Sequence, residues 1–68
     1  MRQVLLYPGE DGYYVAEVPS LPGAVSQGKT REDAITNIRE AIALIEAVMV
    51  EHGELVPVET FDALLVAV

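Results

Sequence analysis

The sequence contains no cysteine and no tryptophan, one phenylalanine and one histidine. Without cysteine, neither a disulfide nor a thiolate metal site can stiffen the fold. A lone histidine leaves no zinc-type ligand set either. Cations are nearly as scarce: four lysines and arginines stand against eleven carboxylates, a formal net charge of −7. Such a chain repels a phosphate backbone, so direct nucleic-acid binding is not expected. Long apolar runs are missing near the N-terminus, where only "VLLY" precedes Pro8, too short for a signal peptide or a membrane span. A soluble, cytoplasmic protein with no cofactor is the expectation. At 68 residues, 1–68 forms one domain, and a domain of this size buries only about 60% of the surface its unfolded chain exposes. Association with a second copy or a partner would help such a core.

What is present reads as a hairpin, a third strand and a helix. "QVLLY" and "YYVAEV" are rich in strand formers, and the turn signal "PGEDG" between them is short enough to make them antiparallel neighbours. Alternation in the second run places Tyr14, Ala16 and Val18 on the core face, with Tyr13, Val15 and Glu17 opposite. In "VPSLPGAVSQGKT", Pro19 and Pro22 end the second strand and set a bend, and Gly23 frees the turn. "AVSQG" supplies a third strand, whose small Ala24, Ser26 and Gly28 let a helix sit close.

Thr30 is a good N-cap, Glu32 and Asp33 suit the first turn, and His52 with Gly53 makes a plausible helix end. Between them Ala34, Ile35, Ile38, Ala41, Ile42, Ile45, Val48 and Met49 trace one apolar stripe, expected to lie on the sheet. The opposite face is polar in its first half, then turns apolar at Ala43, Leu44, Ala47 and Val50, with Glu46 the single charge between Ala41 and Val50. A helix apolar on both faces is usually covered all round. Either the C-terminal segment or a second subunit would cover it, and Leu44, Ala47 and Val50 are the candidate self-association patch of a dimer or higher homo-oligomer. Pro57 interrupts "ELVPVETFD", and "ALLVAV" then runs apolar to the last residue as a fourth strand. The expected fold is α+β, β-β-β-α-β, with one helix on a four-stranded, mostly antiparallel sheet of order 3-2-1-4. The helical crossover would be right-handed.

Catalytic sets are hard to assemble from these residues. His52 stands at a helix end beside Gly53 rather than near a nucleophile. Gly23, Gly28, Lys29 and Thr30 fit the phosphate-loop spacing G-x-x-x-x-G-K-[ST] and a helix follows. "AVSQ" between the glycines nevertheless reads as strand, and the chain leaves no room for a base and ribose pocket. Nucleotide binding through Gly23 to Thr30 is thus a distant alternative. The carboxylates at Glu10 and Asp11, Glu32 and Asp33, and Glu46 fall on turns or the helix surface, where charge is ordinarily solvated. No enzyme activity is expected.

The run Pro19, Leu21-Pro22-Gly23, Ser26, Gly28, Thr30, Glu32-Asp33-Ala34, Asn37 and Glu40-Ala41 resembles the HicB family of antitoxins. The resemblance spans Tyr14 to about Pro57. It implies a partially degraded ribonuclease H-like fold and a toxin-antitoxin role, in which the antitoxin masks the active site of a small, basic HicA-like toxin that cleaves mRNA. An acidic chain suits such a partner electrostatically. Two-metal nucleases of the related fold hold magnesium on strand carboxylates, and neither "QVLLY" nor "LLVAV" contains one. Ala24 stands where many relatives have cysteine, and the sequence lacks a helix-turn-helix or ribbon-helix-helix segment, so operator binding is not expected of it. Tyr7, Tyr13 and Glu17 on the open sheet face, with Glu10 and Asp11 at the turn, are the candidate partner contacts. Pro19, Pro22, Gly23, Gly28 and Thr30 form the structural signature. The rival reading is an oligomeric structural or regulatory module without a toxin.

Overall fold

Two tight turns set the path of the first half of the chain. In the computed structural model, which describes residues 1–60 and 66–68, a 3-10 turn at Glu10–Gly12 joins strands β1 (Leu5–Pro8) and β2 (Tyr14–Glu17). Asp11 and Gly12 both have positive φ, 61° and 77°, and the Tyr13 N–H donates to the Glu10 carbonyl at 3.3 Å. Two successive positive φ values mark a type I′ turn, whose twist matches that of the strands it connects. The first strand begins two residues later than "QVLLY" suggests, because the Gln3 N–H is taken by the Glu59 carboxylate at 2.9 Å. Pro8 joins the strand without loss: the Gly9 N–H pairs with the Tyr13 carbonyl, so the position before it faces away from β2.

The second bend consists of two overlapping turns. Leu21 N–H donates to the Val18 carbonyl at 3.1 Å and Ala24 N–H to the Leu21 carbonyl at 3.0 Å, while Val18 N–H closes the bend on Ala24 at 3.0 Å. Pro22 presets the first central position of the later turn, and Gly23, at φ 88°, takes the second. That is a type II turn, which requires positive φ at its second central residue. Its geometry drops Leu21 into the core, fully buried. β3 (Val25–Gly28) then pairs antiparallel with β2, giving the order β1-β2-β3.

Helix α1 (Arg31–Glu51) starts as expected, with Thr30 Oγ1 accepting from the Asp33 N–H at 3.0 Å. It ends in a Schellman motif: Gly53 N–H reaches the Val50 carbonyl at 3.1 Å, Glu54 N–H reaches Met49 at 2.9 Å, and Gly53 has φ 72°. Register divides the sheet into two faces. Leu6, Ala16 and Ser26 form one row toward the helix, with Pro8, Tyr14 and Gly28 the next. Among the described residues the buried core is Ala16, Val18, Leu21, Ala24, Ala34 and Ile38, with Leu6, Tyr14, Ala41, Ile42, Ile45 and Met49 packed around it. Gly28 makes the approach possible, since a Cβ there would lie 2.4 Å from the Ala34 nitrogen.

Val48 departs from the expected stripe and is 40% exposed. A helix of 21 residues is about 31 Å long at 1.5 Å per residue, whereas strands of four residues are only about 13 Å long. The C-terminal half of α1 overhangs the three strands, and its buried residues, Ala34 and Ile38, both lie in the first half. The expected fourth strand falls on residues 63–68, of which 63–65 lie outside the described residues. Residues 66–68 are exposed and carry no strand.

Candidate partner-binding surfaces

The face of the sheet turned away from α1 is built from two cross-strand rows. Leu5, Glu17 and Val25 stand in line, and Tyr7, Val15 and Gln27 form the row nearer the hairpin tip. Leu5, Tyr7 and Val25 are exposed, while Val15 and Glu17 are half-buried at the centre of the row pair. The Tyr7 hydroxyl donates diagonally to Glu17 Oε1 at 2.8 Å, and this bond to a carboxylate holds the phenol above its ordinary 10.0. Tyr13 continues the alternation of β2 at the edge of this face, half-buried, with its carbonyl paired to Gly9. Glu10 and Asp11 are exposed in the adjoining turn. The geometry thus gathers Tyr7 and Glu17 into a bonded pair, sets Tyr13 beside them, and puts the two acidic turn residues at one end.

None of the four cations lies in these two rows. Arg31 covers the Tyr14 ring at 5.5 Å from its centroid, on the helix side; Lys29 follows β3 and Arg39 lies on α1, both exposed. Arg2 is occupied elsewhere. The open face is therefore apolar with acidic points.

The helix patch lies apart from it. Leu44 and Val50 are 66% and 67% exposed, with Ala47 exposed between them; their spacing of three runs an oblique row across the outer side of the overhanging half. The signature residues serve the backbone. Pro19 follows β2, Pro22 and Gly23 make the type II turn, Gly28 seats the helix, and Thr30 caps it. The phosphate-loop alternative loses its loop, because Val25–Gly28 is strand paired to β2 with α1 packed onto Gly28.

A polar clasp around Arg2 was not legible from periodicity. Arg2 Nε and Nη2 donate to Glu46 Oε2 at 2.9 and 2.8 Å, Nη1 to Ser20 Oγ at 3.0 Å, and Nη2 to the Pro57 carbonyl at 2.6 Å. The Ser20 hydroxyl donates in turn to Glu59, whose second oxygen takes the Gln3 N–H. Hydrogen bonds from Ser20 first and Gln3 next, with the charges of Arg2 and the N-terminus, hold the Glu59 carboxyl below its ordinary 4.5 against a smaller opposing effect of burial. The one available signal was scarcity: a lone arginine ahead of the first strand in a chain this acidic must meet carboxylates. Among the described residues no group of three or more His, Cys, Asp or Glu could hold a metal ion, and no described helix is long and apolar enough to cross a membrane.

Comparison with known proteins agrees with the pattern in the signature run. Residues 3–66 match the model of the HicB-like antitoxin of bacterial toxin-antitoxin systems. A UPF0150 protein of Thermoplasma acidophilum is 41% identical over 63 residues, covering 93% of this chain and 91% of the relative. One from Archaeoglobus fulgidus is 39% identical, covering 87% and 88%. The crystal structure of the N-terminal domain of the Burkholderia pseudomallei antitoxin HicB superposes with a TM-score of 0.72 at 34% identity, over 90% of this chain and 69% of that one. With one helix on an antiparallel sheet, the signature residues in their structural places and a family match across nearly its whole length, the chain belongs to the HicB-like antitoxin family.

Proposed function

We propose that this chain is a non-catalytic, antitoxin-type binding protein that neutralises a small, basic, HicA-like mRNA-cleaving toxin in the cytoplasm by laying its open sheet face over the toxin's active site. The observation that carries this reading is the composition of that face. It offers Leu5, Tyr7, Val15 and Val25 as apolar contact area around Glu17, with Glu10 and Asp11 at its end and no cation in either row. A second copy of this face brings further carboxylates and no cation in its rows, whereas a basic surface complements the acidic points. Self-association is assigned instead to Leu44, Ala47 and Val50 on the overhanging half of α1. The sheet gains a fourth strand from the C-terminal run beside β1 in this reading, completing the partially degraded ribonuclease H-like arrangement.

Co-expression with a small HicA-like toxin tests the proposal. The wild-type chain is expected to relieve growth arrest, and the double variant Tyr7→Ala, Glu17→Lys to lose rescue while its circular dichroism is unchanged. Arrest that persists with the wild-type chain favours the rival, a regulatory module working without a toxin. For the helix patch, light scattering at micromolar concentration reads the outcome: Leu44→Glu should convert an oligomer to monomer, and a wild-type monomer overturns the assignment.

A further inference from the structure

The clasp fastens stretches that are remote in sequence, and each fastening runs through or beside one guanidinium. Beyond Glu54, whose N–H closes the helix end, residues 55–59 form neither strand nor helix. Apolar packing holds them only in part: Leu55 and Val58 are 93% and 81% exposed, while Val56 and Pro57 are half-buried. Beside them lies an open-mouthed pocket of about 350 Å³ lined by Met1, Arg2, Ile42, Glu46, Pro57 and Val58. A segment that borders an open pocket lacks, on that side, the dispersion contacts a packed segment would have. Polar bonds add to this: the Pro57 carbonyl on Arg2 and the Glu59 carboxylate on Ser20 and Gln3. Arg2 and Glu59 are nonetheless only 10% exposed, so these bonds are shielded from competing water.

We propose that residues 54–59 are a strap latched by Arg2, and that release of the latch widens the pocket beside it into a groove along Ile42 of α1. Release is cooperative, because Glu46, Ser20 and Pro57 share one partner. It is also driven: once the guanidinium is withdrawn, Glu46 and Glu59 are left as neighbouring carboxylates with no cation between them, and they repel. The strap borders α1 at Ile42 and Glu46, beside the stretch of helix that runs past the strands. This inference stands on the clasp alone and does not depend on the identity of any toxin.

A glutamate-specific protease reads the latch directly on the full chain, because Glu59 must leave the clasp to enter the protease subsite while Glu10 in the exposed turn serves as internal control. Arg2→Met is expected to raise the rate of cleavage after Glu59 by about tenfold or more, as befits loss of hydrogen bonds to a charged group, with cleavage after Glu10 unchanged. Arg2→Lys, which keeps the charge but not the fork, should fall between. If Arg2→Met loses its helical circular dichroism, Ser20→Ala carries the test, since it removes one contact and no charge; a severalfold increase after Glu59 is then expected. Equal cleavage after Glu59 in the wild type and the folded variant overturns the strap.

Discussion

Among the described residues Leu21 and Ile38 are the largest fully buried side chains, and the other buried ones are three alanines and a valine. So small a core depends on each large member. Leu21→Ala removes three heavy atoms from a closed site and should cost about 3 kcal/mol, out of a total of about 3–10 kcal/mol for a chain of this length. Urea denaturation of the variant should show a midpoint far below wild type or no folded baseline. Glycines separate by mechanism. An alanine at Gly28 would press its Cβ to 2.4 Å from the Ala34 nitrogen and 2.7 Å from Asp33 atoms, whereas at Gly12 it meets nothing within 4 Å. Gly12→Ala therefore carries only the positive-φ penalty, about 1 kcal/mol, while Gly28→Ala must lift the start of the helix. Thermal melts should rank Gly28→Ala clearly below Gly12→Ala, and the reverse order would contradict the close packing described here. Gly28 was legible because small residues at period two before a helix cap imply close approach. Leu21 was not, since a turn has no periodicity to say which way its side chain points.

At the scale of the element, α1 is well begun and poorly ended. Thr30 and Asp33 satisfy and complement its N-terminus, but its last turn holds no basic residue and ends on Glu51, with Glu54 just beyond. Carboxylates there face the negative end of the helix dipole. Glu51→Lys should raise the melting temperature at low salt, with the gain shrinking in high salt as the charge is screened; a gain indifferent to salt would point to packing instead. Both helix ends were readable from Thr30, His52 and Gly53, as were the three strands and their order. The boundaries of β1 were less so, because a side chain from the far end of the sequence claims the Gln3 N–H. Val48 was misplaced for a related reason: the periodic stripe records which side of the helix is apolar, not how far the sheet extends beneath it.

For the molecule as a whole, charge acts in two opposing senses as pH falls. Protonating the excess carboxylates of a chain with pI ≈ 4.3 relieves self-repulsion and favours the compact state. The clasp responds the other way. The Glu59 carboxyl is held below its ordinary 4.5 by Ser20, Gln3 and the nearby positive charges of Arg2 and the N-terminus, with Glu46 the other carboxylate facing the same guanidinium. A group depressed in the folded state contributes stability that is complete above its unfolded value and is lost as pH drops through the folded one. Glu59→Gln lacks that titration while keeping a similar shape. The difference in melting temperature between wild type and Glu59→Gln should therefore be positive and constant at neutral pH, begin to shrink below about 4.5, and close once Glu59 is protonated. Taking the difference cancels the general relief of repulsion, which both proteins share apart from one charge. A difference that stays constant to strongly acid pH would mean that the Glu59 carboxylate is not what ties the two ends of the chain to the body of the fold.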